Sequence, residues 1–148
     1  MPVTGRSSRL PGSVWRLRQR ERALLARLSK FLVVGGTGVL VNSLALIIFF
    51  QWAHLPLVIA SAFSAELAII NNFYWNDRWT FKRTRLSLRR FAQFNLVSLG
   101  GLVITTGTLW ILVGGLGLYY LAANLLAIVL ATVWNFVGNV WWTWGGAR

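Results

Sequence analysis

Residues 72–80 read Asn-Phe-Tyr-Trp-Asn-Asp-Arg-Trp-Thr, and residues 135–143 read Asn-Phe-Val-Gly-Asn-Val-Trp-Trp-Thr. Both stretches carry Asn, Phe, Asn, Trp and Thr at matching positions, 63 residues apart. The same offset runs without a gap from Arg20/Arg83 to Arg85/Arg148 and gives 19 identities in 66 pairs. Among them are Arg27/Arg90, Phe31/Phe94, Val34/Val97 and Gly38/Gly101. The chain reads as an internal duplication, with repeats over about 20–85 and 83–148.

Hydropathy says what each repeat contains. Apolar segments cover residues 31–50, 55–75, 91–113 and 118–140. Each has roughly the 20 residues needed to cross a hydrocarbon core of about 30 Å. The expected fold is an all-α membrane protein of four transmembrane helices, built as two helical hairpins. Two spans per repeat give both copies the same orientation, a parallel repeat about an axis along the membrane normal.

Composition agrees. Of 148 residues, 56% are hydrophobic and 12% are charged, against about 25% charged in a soluble domain. A water-soluble globular protein is excluded, because so small a fold has no room to hide this apolar surface. Lys and Arg number 15 against 3 acids, for a formal charge of +12. Basicity of this size also marks nucleic-acid binders. Here the cations flank apolar runs: eight lie between Arg6 and Lys30, six in residues 76–90, and one at Arg148. The positive-inside rule then puts both termini and the central loop in the cytoplasm, and no nucleic acid is expected. Residues 1–13, with two Pro and two Gly, read as a disordered basic tail. Val14, Leu17, Leu24, Leu28 and Phe31 recur at helical spacing among arginines, predicting an amphipathic interfacial helix over 14–30. With no Cys, one His and three acids, no thiolate site, metal cage or Ser-His-Asp triad is available. Neither an enzyme nor a cofactor is expected.

A few polar residues in the apolar segments are candidates for function. Glu66 lies near the middle of the second segment, where a carboxylate costs at least about 2.5 kcal/mol. It is either a proton-titrating or headgroup site, or a protonated acid that hydrogen-bonds a neighbouring helix. Asn42 lies at similar depth, as a partner for Glu66 or as interhelical glue. Asn72 and Asn76 are one turn apart and share a face, as do Asn135 and Asn139. If the repeat axis relates the two pairs, they face each other across a central cleft. Arg78 and Lys82 add positive charge near that level, and a guanidinium fork suits phosphate. Asp77 is placed to orient Arg78 or Lys82. Together these residues make a phospho-headgroup site, with interhelical bonding and snorkelling cations as the competing reading. Trp79 and Trp142 are kept by the repeat; they either stack on a sugar ring or anchor the protein at the interface. The glycines at 35, 36, 38, 100 and 101 permit close helix approach. The basic run from Lys82 to Arg90 suits anionic lipids.

The Val-Gly-Gly-x-Gly pattern at 34–38, taken with Asn72-Phe73-Tyr74-Trp75-Asn76-Asp77-Arg78-Trp79-Thr80-Phe81, resembles the GtrA family over roughly residues 27–145. A GtrA-like domain is thus expected over 31–144. The resemblance implies a small four-helix protein of a bacterial inner membrane that works on polyprenyl-phosphate-linked sugars for cell-surface polysaccharide. Members are proposed to flip the lipid-linked sugar or to recruit a glycosyltransferase. Trp141 stands where Arg78 stands in the first repeat, so a basic group in both halves is not expected. Two alternatives stay open: a non-transporting anchor or activator of a glycosyltransferase, and a small proton-coupled exporter using Glu66. Four helices rarely enclose a site alone, so a homo-oligomer is expected.

Overall fold

The computed structural model describes residues 12–145, with side chains from residue 15 onward. Among the described residues there are four helices and no strand. They are α1 (Gly12–Ile47), α2 (Leu57–Trp75), α3 (Leu88–Leu109) and α4 (Tyr120–Gly138). Each continues into a wider π-helical turn, at Ile48–Trp52, Asn76–Thr80, Trp110–Gly115 and Asn139–Thr143. With these turns, all four helices are long and apolar enough to cross a membrane. Most of their large apolar side chains are exposed, as expected of surfaces that meet lipid rather than water.

Two elements differ from the sequence expectation. The segment 14–30 is not a separate helix; it forms the first half of α1, since no Gly or Pro between Val14 and Lys30 interrupts the helix. Residues 76–80, expected in a loop, extend α2 by a turn. Within that turn Thr80 Oγ1 donates to Asn76 Oδ1 at 2.9 Å. Of the expected tail, residues 1–11 lie outside the described residues, while 12 and 13 begin α1.

Local geometry follows the 63-residue offset closely. Ala53 N–H donates to Ile48 O at 2.9 Å and Leu116 N–H to Ile111 O at 3.0 Å. The next bond outward runs from Leu55 N–H to Phe49 O at 3.0 Å and from Leu118 N–H to Leu112 O at 2.8 Å. Between these bonds the backbone turns left-handed, at His54 (φ 53°) and at Gly117 (φ 64°). The other two helix ends also match: Phe81 N–H donates to Asn76 O at 2.8 Å and Trp144 N–H to Asn139 O at 2.9 Å.

Helix α1 packs along α2, and α3 along α4. Two glycines set the contact distance. A β-carbon at Gly38 would overlap the Asn72 amide, and one at Gly101 would lie 2.7 Å from Asn135 Nδ2. The aromatic core sits at the basic end of the bundle. Phe31, Phe73, Phe94 and Trp144 are buried there, with Phe81, Phe91 and Phe136 against them. Phe31 meets Phe136 edge-on at 5.6 Å, which joins the first hairpin to the second. Phe81 and Trp144, 63 residues apart, stack face to face at 4.0 Å and 8°.

Candidate functional site

A cavity of about 340 Å³ opens near this aromatic core, lined from all four helices. Asn72 and Asn76 enter it from the end of α2, and Asn135 and Asn139 from the end of α4. Phe31 of α1 and Phe94 of α3 line it too, as do Ser98 and Thr132. The two asparagine pairs thus share one space.

The π turns position these amides. Asn76 and Asn139 are each buried. Thr80 Oγ1 donates to Asn76 Oδ1 at 2.9 Å, and Thr143 Oγ1 donates to Asn139 Oδ1 at 2.7 Å. Asn139 Nδ2 donates back to Asn135 O at 2.8 Å. Asn71 Nδ2 donates to Asn72 Oδ1 at 3.3 Å and to Thr37 Oγ1 at 3.0 Å. Asn135 Oδ1 is buried and has no hydrogen-bond partner. A buried acceptor left open costs about 1–3 kcal/mol, and this amide packs against Gly101 of α3. No charged side chain lines the cavity. Its chemistry is neutral donors and acceptors between aromatic walls, which suits hydroxyl-rich ligands.

The other predicted residues lie elsewhere. Asp77 is fully buried, but its partner is Arg90 rather than Arg78 or Lys82. Arg90 Nε donates to Asp77 Oδ1 at 2.8 Å and Nη2 to Oδ2 at 3.2 Å, while Trp144 Nε1 donates to Oδ1 at 2.9 Å. Arg90 also bonds Arg85 O, and Arg83 Nη2 donates to Trp144 O at 2.8 Å. Asp77 therefore fastens the α2–α3 loop and the end of α4 together. Arg78 is exposed and spans the loop, with Nη1 donating to Arg83 O at 3.2 Å and Thr84 O at 2.6 Å. Trp79 is exposed with Lys30 Nζ 5.3 Å from its ring, and Trp142 is exposed. Lys82 lines a separate pocket with Arg27 and Lys30.

Glu66 is exposed on α2, and Asn42 is half-buried on α1; neither lines the cavity. The helix period accounts for Glu66. Six residues before Asn72, at about 100° each, put it about 120° around the helix from the cavity face. Asn42 lies one turn beyond Gly38, farther from the basic end. Sequence reasoning missed Phe31, Phe94, Ser98 and Thr132 as lining residues, although the Phe31/Phe94 identity was a usable signal. Trp144 was not among the sequence candidates. That residue is buried, and its only signal was that its counterpart, Phe81, is aromatic.

Comparison with known proteins adds two findings. A family model described as "GtrA/DPMS, transmembrane domain" matches residues 30–144. A Pyrococcus furiosus protein named dolichol-phosphate mannosyltransferase is 42% identical over 120 residues, covering 80% of this chain and 34% of that protein. The chain thus spans about a third of the length of that relative.

Proposed function

Since the chain belongs to the GtrA/DPMS transmembrane-domain family, we propose that it binds the sugar head of a polyprenyl-phosphate-linked sugar in the four-asparagine cavity and carries it across the bilayer. It makes and breaks no covalent bond in this role. The product side is cell-surface glycan synthesis, and the setting is a bacterial inner membrane. The two hairpins stand as parallel repeats with both termini in the cytoplasm, so the cavity opens at the cytoplasmic end. Residues 14–30 then form a cationic extension of the first span at that surface. A homo-oligomer completes the path for the lipid chain.

The observation that carries this reading is the uncharged polar cavity between the hairpins, lined by Asn72, Asn76, Asn135 and Asn139. Aromatic and amide groups of this kind bind sugar rings by stacking and by hydroxyl hydrogen bonds. The test is transbilayer movement of a polyprenyl-phosphate sugar in proteoliposomes, with protein-free liposomes as control. The wild type should accelerate movement, and Asn135→Leu should reduce it at least about tenfold, the loss of roughly one hydrogen bond. Normal movement in Asn135→Leu would overturn the site.

One finding favours a second reading. The relative that shares this domain is named a mannosyltransferase and is about three times as long as the shared part. In this reading the domain seats or activates a partner glycosyltransferase without moving lipid. Absence of movement in proteoliposomes, together with co-purification of a glycosyltransferase that depends on the basic loop 82–90, would select it.

A further inference from the structure

The structure contains a second polar pocket that the proposed sugar site does not use. It has a volume of about 370 Å³ and lies where α1 passes the end of α2. Arg27, Lys30 and Lys82 line it with Thr80, and the small side chains of Ala23 and Ala26 keep it open. No acid is among its lining residues. The ion pair among the described residues joins Asp77 to Arg90, neither of which lines it. Three like charges converging on one space repel each other, and a bound anion would relieve that repulsion.

Two observations bear on this pocket. The first is the surface next to the pocket. Lys30 reaches over Trp79, and Trp79 begins an apolar groove of about 300 Å³ lined by Val33, Val34, Thr37 and Trp75. A cationic basin thus adjoins, at Trp79, an apolar groove between α1 and the end of α2. That is the shape of a phosphate head with a hydrocarbon chain attached. The second is the backbone at Lys82, which has φ 52°. This left-handed conformation favours glycine. The equivalent closure of the α3 end uses Gly117, with Leu118 N–H bonded to Leu112 O. At Lys82 the same six-residue closure holds, with Arg83 N–H donating to Asp77 O at 2.8 Å. A lysine thus occupies a position where glycine closes the turn without strain, and its side chain lines the basin. His54 takes the same conformation (φ 53°) at the end of α1, so what sets Lys82 apart is its place in the basin.

We propose that Arg27, Lys30 and Lys82 form a binding site for the phosphate of a membrane lipid, whose chain lies along the Trp75–Trp79 groove. The site shares no lining residue with the asparagine cavity, so it serves a second lipid alongside the transported one. The apolar groove favours this source over free phosphate, because a lipid fills both the basin and the groove.

The test is native mass spectrometry of the full chain in detergent micelles doped with equal amounts of phosphatidylglycerol and phosphatidylcholine. The wild type should retain one phosphatidylglycerol in preference to phosphatidylcholine. Lys82→Gly should reduce retention at least fivefold while its melting temperature stays equal to the wild type or rises, since the strain is removed with the cation. Arg27→Gln with Lys30→Gln should reduce retention further. Retention of phosphatidylglycerol by Lys82→Gly and by the double variant at the wild-type level would overturn the site. So would equal retention of the two lipids. Displacement of the lipid by millimolar inorganic phosphate would show that the groove adds nothing, and would overturn the assignment to a lipid.

Discussion

At the residue scale, the most consequential side chain is Asp77. It is fully buried and is held by two arginine N–H groups and an indole N–H. Removing one partner of a buried pair leaves the other uncompensated, at about 3–5 kcal/mol. The Arg90 side chain is 20% exposed, so solvent screens part of that loss. Asp77→Ala is therefore expected to lower stability by about 3 kcal/mol, measured by chemical unfolding in detergent. Asp77→Asn keeps an acceptor and should lose less. Trp144→Phe removes the indole bond and should cost about 1–2 kcal/mol. An Asp77→Ala protein as stable as the wild type would refute the fastening role. Asp77 stood out in the sequence, but its partner did not. Arg90 is thirteen residues away and Trp144 sixty-seven, and no local period links such positions.

At the element scale, the glycines divide into two kinds. Gly38 and Gly101 face Asn72 and Asn135 with no room for a β-carbon, while Gly36 has nothing within 4 Å of that position. Gly38→Ala should overpack the α1–α2 contact and cost about 1–3 kcal/mol. Gly36→Ala should be neutral or stabilising by up to about 1 kcal/mol, because alanine favours the helix. Thermal melts of the two variants compare the predictions directly, and equal melts would show that α1 and α2 do not approach as described. The hairpins also fill the neighbouring position differently. The first sets Asn71 against Thr37, whereas the second sets Trp134 against Gly100, with Trp134 Nε1 donating to Val97 O at 3.0 Å. A large side chain on one helix accompanies a small one on its neighbour, and the contact is conserved in volume rather than in residue.

At the scale of the whole molecule, the two hairpins meet mainly through aromatic and polar contacts at the basic end. The proposed topology puts that end in the cytoplasm. The chain has no cysteine, so single cysteines report cleanly. Arg85→Cys should react with a membrane-impermeant maleimide only from the cytoplasmic side, and Leu116→Cys only from the opposite side. Labelling of both from one side would reverse or break the proposed arrangement. The same end holds both the asparagine cavity and the basic pocket, so a bound sugar head and a bound lipid phosphate would lie at similar depth.

By itself, the sequence determined that the chain is membrane-embedded, has four spans, and repeats its asparagine motif. Apolar length and a fixed 63-residue offset are properties of the linear chain, and a bilayer turns length directly into topology. It also put both asparagine pairs on coherent helix faces, because the helical period is local. The tertiary structure alone decided where those faces point. It turned Glu66 toward the outside, moved Lys82 into a second pocket, and buried Trp144 in the core. Helix rotation about the long axis depends on which side chains leave space for a neighbour, here Gly38 and Gly101 against Asn72 and Asn135. That depends on helix pairs distant in the chain, and no single apolar segment encodes it.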